Sequence, residues 1–471
     1  RCANPPYLKP FDGGGSLTTI PRVLATDAAL ELIAKLKAKH GPLMFHQSGG
    51  CCDGSSPMCY PDGDLLIGDN DVRLGEIGGC PFYMSAAQYE YWKHTELTID
   101  VVPGRGGMFS VGVSSRAEHQ VLEATTDEAL RAFGASEDSP TLLLNCLPMG
   151  IAVPTTLATV ATPSVHLEMA QEIYERLGPD FDRIIVLAEP IFLKEFAERL
   201  FAAHGEPWSA AATNYIVGGE WVSESWRAYV GGLLGMAGPM DFFAPGILIS
   251  MGAAELGLNL LFETPQLRAL RAILDSTDHG AGLVREGLGF TPTLFGYDPQ
   301  RLYVEERRHD DGATTLAFTA LGRRLLPLVR YDLGDMAELV PAERVNAAFA
   351  AAGLPITVDS PIVAFWGRQA DSIAIAGRTI RPERIKQRIF ALAAEAAVLT
   401  GRFFVDTSAT PTLHLQLRSG TVATPNLDAD WHRFMHELAG VDCTVVIHSY
   451  DRYPFHEAGD FQHKPIYHGV S

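Results

Sequence analysis

His46 is followed by Cys51, Cys52 and Cys59 in the stretch "HQSGGCCDGSSPMCY" (46–60). Imidazole and thiolate are the donors that zinc and copper prefer, so these four residues are candidate ligands for Zn or Cu. The spacing is not the paired Cys-x-x-Cys of a zinc ribbon, and adjacent cysteines seldom both face one ion. A second reading is a reactive thiolate, because glycine-rich flanks expose backbone N–H groups that lower a thiol pKa. A third is a Gly/Ser turn that buries small cysteines. All three stay open. His94, in "WKHT", is a further candidate ligand or a structural histidine.

Different chemistry is written further along. "VGGEW" closes an apolar run, and Gly218 and Gly219 would let a flat ligand lie against the backbone. "SMGAAELG" places Gly252 and Glu255 after "FFAPGILIS", at the carboxyl end of an expected strand, where open α/β sheets bind ligands. "VRYDLGD" ends on Asp335, a carboxylate suited to accept hydrogen bonds from a ribose diol. "WGRQADSIAIAGRTIRP" supplies Arg368 just before a change of rhythm. Taken singly, each also reads as an ordinary turn glycine or a solvated charge.

The elements that must carry these groups fall into three parts. Residues 1–112 read as a small β-rich domain with one leading helix. Thr26 caps that helix, its apolar set is Leu30, Ile33, Ala34 and Leu36, and Gly41 ends it. "TELTIDVVPG" alternates Leu97, Ile99 and Val101 on one face, as a half-buried strand does, and glycine pairs at 49–50, 78–79 and 106–107 mark sharp connections. Residues 113–366 alternate short apolar strands ("PTLLLNCLP", "DRIIVLAEP", "AAATNYIVGGE") with helices, which predicts a parallel sheet covered on both faces. One such helix is expected to be capped by Ser164, to bury Met169, Ile173 and Leu177, and to end at Gly178. "RLYVEER" and "TTLAFTAL" read as paired strands. Residues 367–471 form a smaller α+β unit, with Pro382 opening its first helix.

The chain of 471 residues, 47% hydrophobic and 20% charged, has the composition of a globular protein of two or three domains. Its net charge of −19 repels phosphate backbones and anionic lipid, which argues against nucleic acid and membrane partners. The sequence shows no apolar run of membrane-spanning length and no signal segment, so a cytoplasmic protein with reduced thiols is expected; the seven cysteines are an odd number. Arg1 at the start suggests a fragment or a processed product.

In order, "MGAAE", "RYDLGD", "GRQADSIAIAG" and "FQHKPIY" resemble the conserved segments of the adenylate-forming superfamily, in its phenylacetate–CoA ligase and coenzyme F390 synthetase-like branch. The resemblance spans roughly residues 115–471. It implies a truncated α/β large domain followed by a mobile C-terminal lid. It also implies ATP, Mg²⁺ and a thiol acceptor such as CoA, with an aromatic or hydrophobic carboxylate as substrate. Gly218, Gly219 and Glu220 would line the adenine side, Gly252 would lie against nucleotide and acyl group, and Glu255 would help hold Mg²⁺. Asp335 would grip the ribose, Arg368 would contact the nucleotide near the hinge, and Lys464 would stabilise charge as acyl-AMP forms. The sequence departs from the pattern at Met251, Ala254 and Ala370, and no Ser-Gly-Thr-Thr-Gly-like phosphate loop precedes residue 140. Residues 40–110 ("CCDGSSPMCYP", "DVRLGEIGGCPFYMS", "WKHTELTIDVVPGRGGMFS") resemble an uncharacterised family, a domain of unknown function numbered 779, often encoded beside aldehyde dehydrogenases. Two functions are therefore expected: an acid–CoA ligase on a fused chain, impaired if its phosphate loop is gone, or a metal- or thiol-bearing accessory protein of an aldehyde dehydrogenase.

Overall fold

The computed structural model describes residues 23–47, 57–65, 67–68, 71–86, 89, 97–102, 108–112, 116–148, 151, 153–236, 238–242, 244–253, 256–276, 288–309, 312–321, 328–407, 410–454 and 467–469. The chain divides into two compact units: unit 1 holds residues 1–49 and 56–113, and unit 2 holds 50–55 and 114–471.

Unit 1 begins with β1 (Val23–Ala25) and a helix over Asp27–His40. The Thr26 hydroxyl accepts from the Ala29 N–H at the helix start, and Gly41, at φ 81°, closes its end. Strands β2 (Leu43–Gln47), β3 (Met58–Pro61), β4 (Asp71–Ile77) and β5 (Cys80–Ser85) form one sheet in the order β3-β2-β5-β4. Gly78 and Gly79, at φ 55° and 72°, make the two-residue turn joining β4 to β5, as the glycine pair predicts. The pairs at 49–50 and 106–107 lie outside the described residues. Strands β6 (Leu97–Val102) and β7 (Met108–Gly112) pair beside β1 in a second sheet. Leu97 and Ile99 are buried with Ile33, Phe45 and Phe82 in the core of this unit. Leu30, expected on the buried stripe of the helix, is instead exposed; Ala29 takes its place.

Unit 2 is built on a six-stranded sheet of β8 (Thr141–Asn145), β9 (Thr159–Ala161), β10 (Arg183–Ala188), β11 (Ala212–Val217), β12 (Ile247–Ala253) and β13 (Gly257–Phe262). Its order is β13-β12-β11-β10-β8-β9, parallel throughout except for the antiparallel β12–β13 pair. Successive residues of the central strands enter different cores. Leu142, Leu144, Ile184 and Val186 face the helices Leu167–Leu177, Pro190–His204 and Glu224–Leu233, whereas Leu143 and Ile185 pack with Leu130 on the other side. Burial on both faces is why these strands read as continuous apolar runs.

The helix Leu167–Leu177 corrects a sequence expectation. Its buried residues are Leu167, Ala170 and Tyr174, while Met169 and Leu177 are 48% and 47% exposed. His166, not Ser164, stands at its N-terminus. The rotation has a polar cause: the Tyr174 hydroxyl reaches Thr213, Ser209 and Tyr215 at 2.9, 3.0 and 3.2 Å inside the fold. A buried hydroxyl that finds three partners outweighs two methyl-rich side chains left at the surface.

A five-stranded antiparallel sheet follows, of β14 (Thr293–Phe295), β15 (Leu302–Arg308), β16 (Thr314–Ala320), β17 (Tyr331–Val340) and β18 (Ile362–Arg368), in the order β14-β18-β17-β16-β15. The hairpin β15–β16 is the pair expected from "RLYVEER" and "TTLAFTAL". Beyond Arg368 come the ribbon β19 (Ile373–Ile375) and β20 (Arg378–Ile380), then the helix Pro382–Ile389. The last sheet holds β21 (Leu399–Asp406), β22 (Thr412–Leu417), β23 (Thr444–His448) and β24 (His468–Gly469), covered by the helix Leu427–Ala439. Its apolar side chains belong to the same continuous core as the six-stranded sheet. Polar links join them too: the Lys194 ammonium, 1% exposed, donates to Glu198 and to the Leu399 carbonyl at 2.6 and 2.8 Å, and Glu198 also binds Arg418. Among the described residues no helix is long and apolar enough to cross a membrane.

Candidate nucleotide site

Glycines line the carboxyl ends of the parallel strands because the backbones there come too close for a side chain. Gly218 directly follows β11, its N–H donates to the Ala188 carbonyl, and a Cβ on it would stand 2.9 Å from the Ser250 carbonyl oxygen. Gly219, at φ 95°, turns the chain in a conformation that favours glycine. Gly252 lies within β12 rather than after it, at an irregularity between Met251 and Ala253, where a Cβ would sit 3.1 Å from the Gly257 carbonyl. Gly218→Ala should therefore cost about 1–3 kcal/mol through backbone displacement. A lowered thermal midpoint is the expected outcome.

Asp335 and Arg368 were candidates from separate motifs, and the fold makes them direct cross-strand partners on β17 and β18. Arg368 Nε lies 3.4 Å from Asp335 Oδ1; the carboxylate is buried and the guanidinium half-exposed. A buried acceptor behind an exposed cation is an arrangement that can hold a sugar hydroxyl and a phosphate on one edge. Gly367, the residue of β18 just before Arg368, has φ 106°, and a Cβ there would collide with Glu383.

Glu220 is placed differently from a free pocket carboxylate. Its Oε2 accepts from Lys386 Nζ and from the Tyr467 hydroxyl, each at 2.5 Å. Neither partner stands out in the sequence. Lys386 is one of several charges in "PERIKQRI", and Tyr467 sits in a polar tail; an amphipathic pattern says which face is polar but not which distant carboxylate that face will meet. Glu383, one turn before Lys386, is buried against Arg381, whose guanidinium also donates to Ser372. Burial raises the Glu383 pKa, opposed by the Arg381 and Lys386 charges. Glu255 and Lys464 lie outside the described residues.

Of the four cluster residues in the sequence, the described ones are His46 and Cys59. Phe45 pairs with Cys59 and His46 with Met58, so Cys59 shares the core face with Phe45 while His46 points to the opposite face. His46 Nε2 lies 3.0 Å from Asp71 Oδ1, and Asp71 is held below the usual carboxylate range, first by the Gly68 N–H and then by His46. Cys51, Cys52 and His94 lie outside the described residues. Among the described residues, no group of three His, Cys, Asp or Glu could hold a metal ion. Burial, with a smaller contribution from Cys80, pushes the Cys59 thiol up to about 11. Roughly one Cys59 in a thousand is then a thiolate at pH 8. Site-resolved alkylation of the native chain should find Cys59 about 100-fold slower than in the denatured chain.

The model of a domain of unknown function (DUF779) matches residues 32–121, slightly past the end of unit 1. A comparison with curated proteins finds no match. Solved structures that resemble the chain include a CoA ligase and fatty acyl-adenylate ligases. A crystal structure of 2-hydroxyisobutyryl-CoA ligase in the postadenylation state, in complex with R3-HIB-AMP, is 11% identical with a TM-score of 0.53. The match covers 79% of this chain and 73% of that one. The same ligase in complex with 2-HIB-AMP gives the same figures. Fatty acyl-adenylate ligases from E. coli and L. pneumophila are 15% identical over 82% of this chain and 72% of theirs, with a TM-score of 0.47. At such identities the first two matches show a common fold, the one seen in 2-hydroxyisobutyryl-CoA ligase, over the matched part of the chain.

Proposed function

We propose that the chain is an adenylate-forming ligase: a carboxylate attacks the α-phosphate of ATP and pyrophosphate leaves, then a thiol such as CoA attacks the acyl carbon of the acyl-AMP and AMP leaves. The observation that carries the reading is the cross-strand pairing of Asp335 with Arg368. In this reading Asp335 accepts from the ribose hydroxyls and Arg368 faces the α-phosphate. Gly218, Gly219 and Gly252 leave the backbone bare where the flat adenine and the acyl group lie. Lys464 donates to the carboxylate and α-phosphate oxygens as negative charge gathers there. Glu255 is the residue that would hold Mg²⁺. An aromatic or hydrophobic acid is the expected substrate class.

The sequence before residue 140 holds no Ser/Thr/Gly-rich phosphate loop, so the grip on the β- and γ-phosphates is expected to be weak and turnover slow. Unit 1 is then a fused domain with a separate task. Among the described residues no feature favours the alternative of an aldehyde dehydrogenase accessory protein. Calorimetric titration of the whole chain with ATP and Mg²⁺ tests the reading. Saturable binding that weakens in Asp335→Ala supports it, and the absence of binding by the native chain contradicts it.

A further inference from the structure

Glu220 follows the two glycines that end β11, and its carboxylate is the meeting point of two parts of unit 2 that are far apart in sequence. Lys386 comes from the helix Pro382–Ile389 and Tyr467 from the segment leading into β24. Both donate to the same oxygen, Glu220 Oε2. The Glu220 and Lys386 side chains are 14% and 11% exposed, so the ion pair is largely screened from solvent. Lys386 Nζ also stands 4.4 Å from the centre of the Tyr467 ring, and so touches both other members of the group. Tyr467 is itself fixed twice: its ring stacks on Phe403 at 5.0 Å, and its carbonyl accepts from the Val405 N–H on β21. Burial first, and then Glu220, raises the Tyr467 pKa well above the ordinary phenol value, so the hydroxyl stays a donor.

A carboxylate left unpaired beside a pocket for a polyanion would repel it; neutralised from behind, it becomes a post on which the loop can be hung. We infer that Lys386 and Tyr467 are positioning residues that clamp Glu220. Through Glu220, the C-terminal part of unit 2 sets the shape of the Gly218–Glu220 loop and with it the affinity for the nucleotide. The second half of this inference rests on the ligase reading; the first does not. Glu383 ties the clamp to the hinge, since it sits one turn before Lys386 and against Gly367, the neighbour of Arg368.

The test uses the full chain with Tyr467→Phe, which removes one hydroxyl, and Lys386→Met as a second variant. Hydrogen exchange of the amides at 218–222 is followed alongside calorimetric titration with ATP and with AMP. Exchange at these amides should rise about 10-fold in each variant, because local opening becomes easier by one hydrogen bond to a charged group. Affinity for AMP should fall about 10-fold in each variant; the thermal midpoint should drop little in Tyr467→Phe and more in Lys386→Met, which leaves a largely buried carboxylate without its cation. Unchanged exchange at 218–222 in both variants would overturn the clamp. Raised exchange with unchanged AMP affinity would overturn the positioning role. A native chain that binds neither nucleotide would sink the ligase reading instead, and exchange alone would then decide the clamp.

Discussion

Asp335→Ala should raise the dissociation constant for ATP and for AMP about 10- to 100-fold, the effect of removing a charged acceptor from two hydroxyl donors. The carboxylate is 4% exposed, on a strand inside a sheet rather than on a loop, so its oxygens are held in place before any ligand arrives. Its cross-strand partner Arg368 is 46% exposed and can turn to solvent when the carboxylate is lost. Because the cation left behind is solvated and no buried charge is stranded, folding should change less than binding. Titration calorimetry paired with thermal unfolding separates the two. A variant that binds nucleotide normally would remove Asp335 from the site.

Lys464→Ala should leave nucleotide binding within a few-fold of the native value yet slow acyl-AMP formation about 100- to 1,000-fold, the usual consequence of deleting one donor to developing negative charge. Single-turnover assay of acyl-AMP is the direct measurement. The expectation comes from the resemblance of "FQHKPIY" to the superfamily's terminal segment, together with the position of Lys464 three residues before the anchored Tyr467. Loss of ATP binding as well would assign Lys464 to the ground state rather than to the reaction.

Sequence reasoning reached the framework of unit 2 because buried parallel strands write themselves as apolar runs: Thr141–Asn145 is buried at every position. The cap at Thr26 and the turn at Gly78–Gly79 were legible for a similar reason, each being a local demand met by a few residue types. The helix Leu167–Leu177 was misread because two apolar stripes compete on it. The choice between them is made by Ser209, Thr213 and Tyr215, which are remote in sequence. The same limit hid the clamp on Glu220, since nothing near Lys386 or Tyr467 says which carboxylate they will meet. That limit applies to His46 and Cys59 as well. Nearness along the chain suggested that His46 and Cys59 share a ligand, whereas strand register, invisible in a single sequence, sends them to opposite faces.

The central claim is that the chain activates a carboxylic acid with ATP. Exchange of labelled pyrophosphate into ATP, screened over aromatic and aliphatic carboxylic acids, tests it most directly. Exchange should depend on an added acid, saturate with it, and be lost in Lys464→Ala. No acid-dependent exchange above the Lys464→Ala background, across the panel and at millimolar ATP, would contradict it.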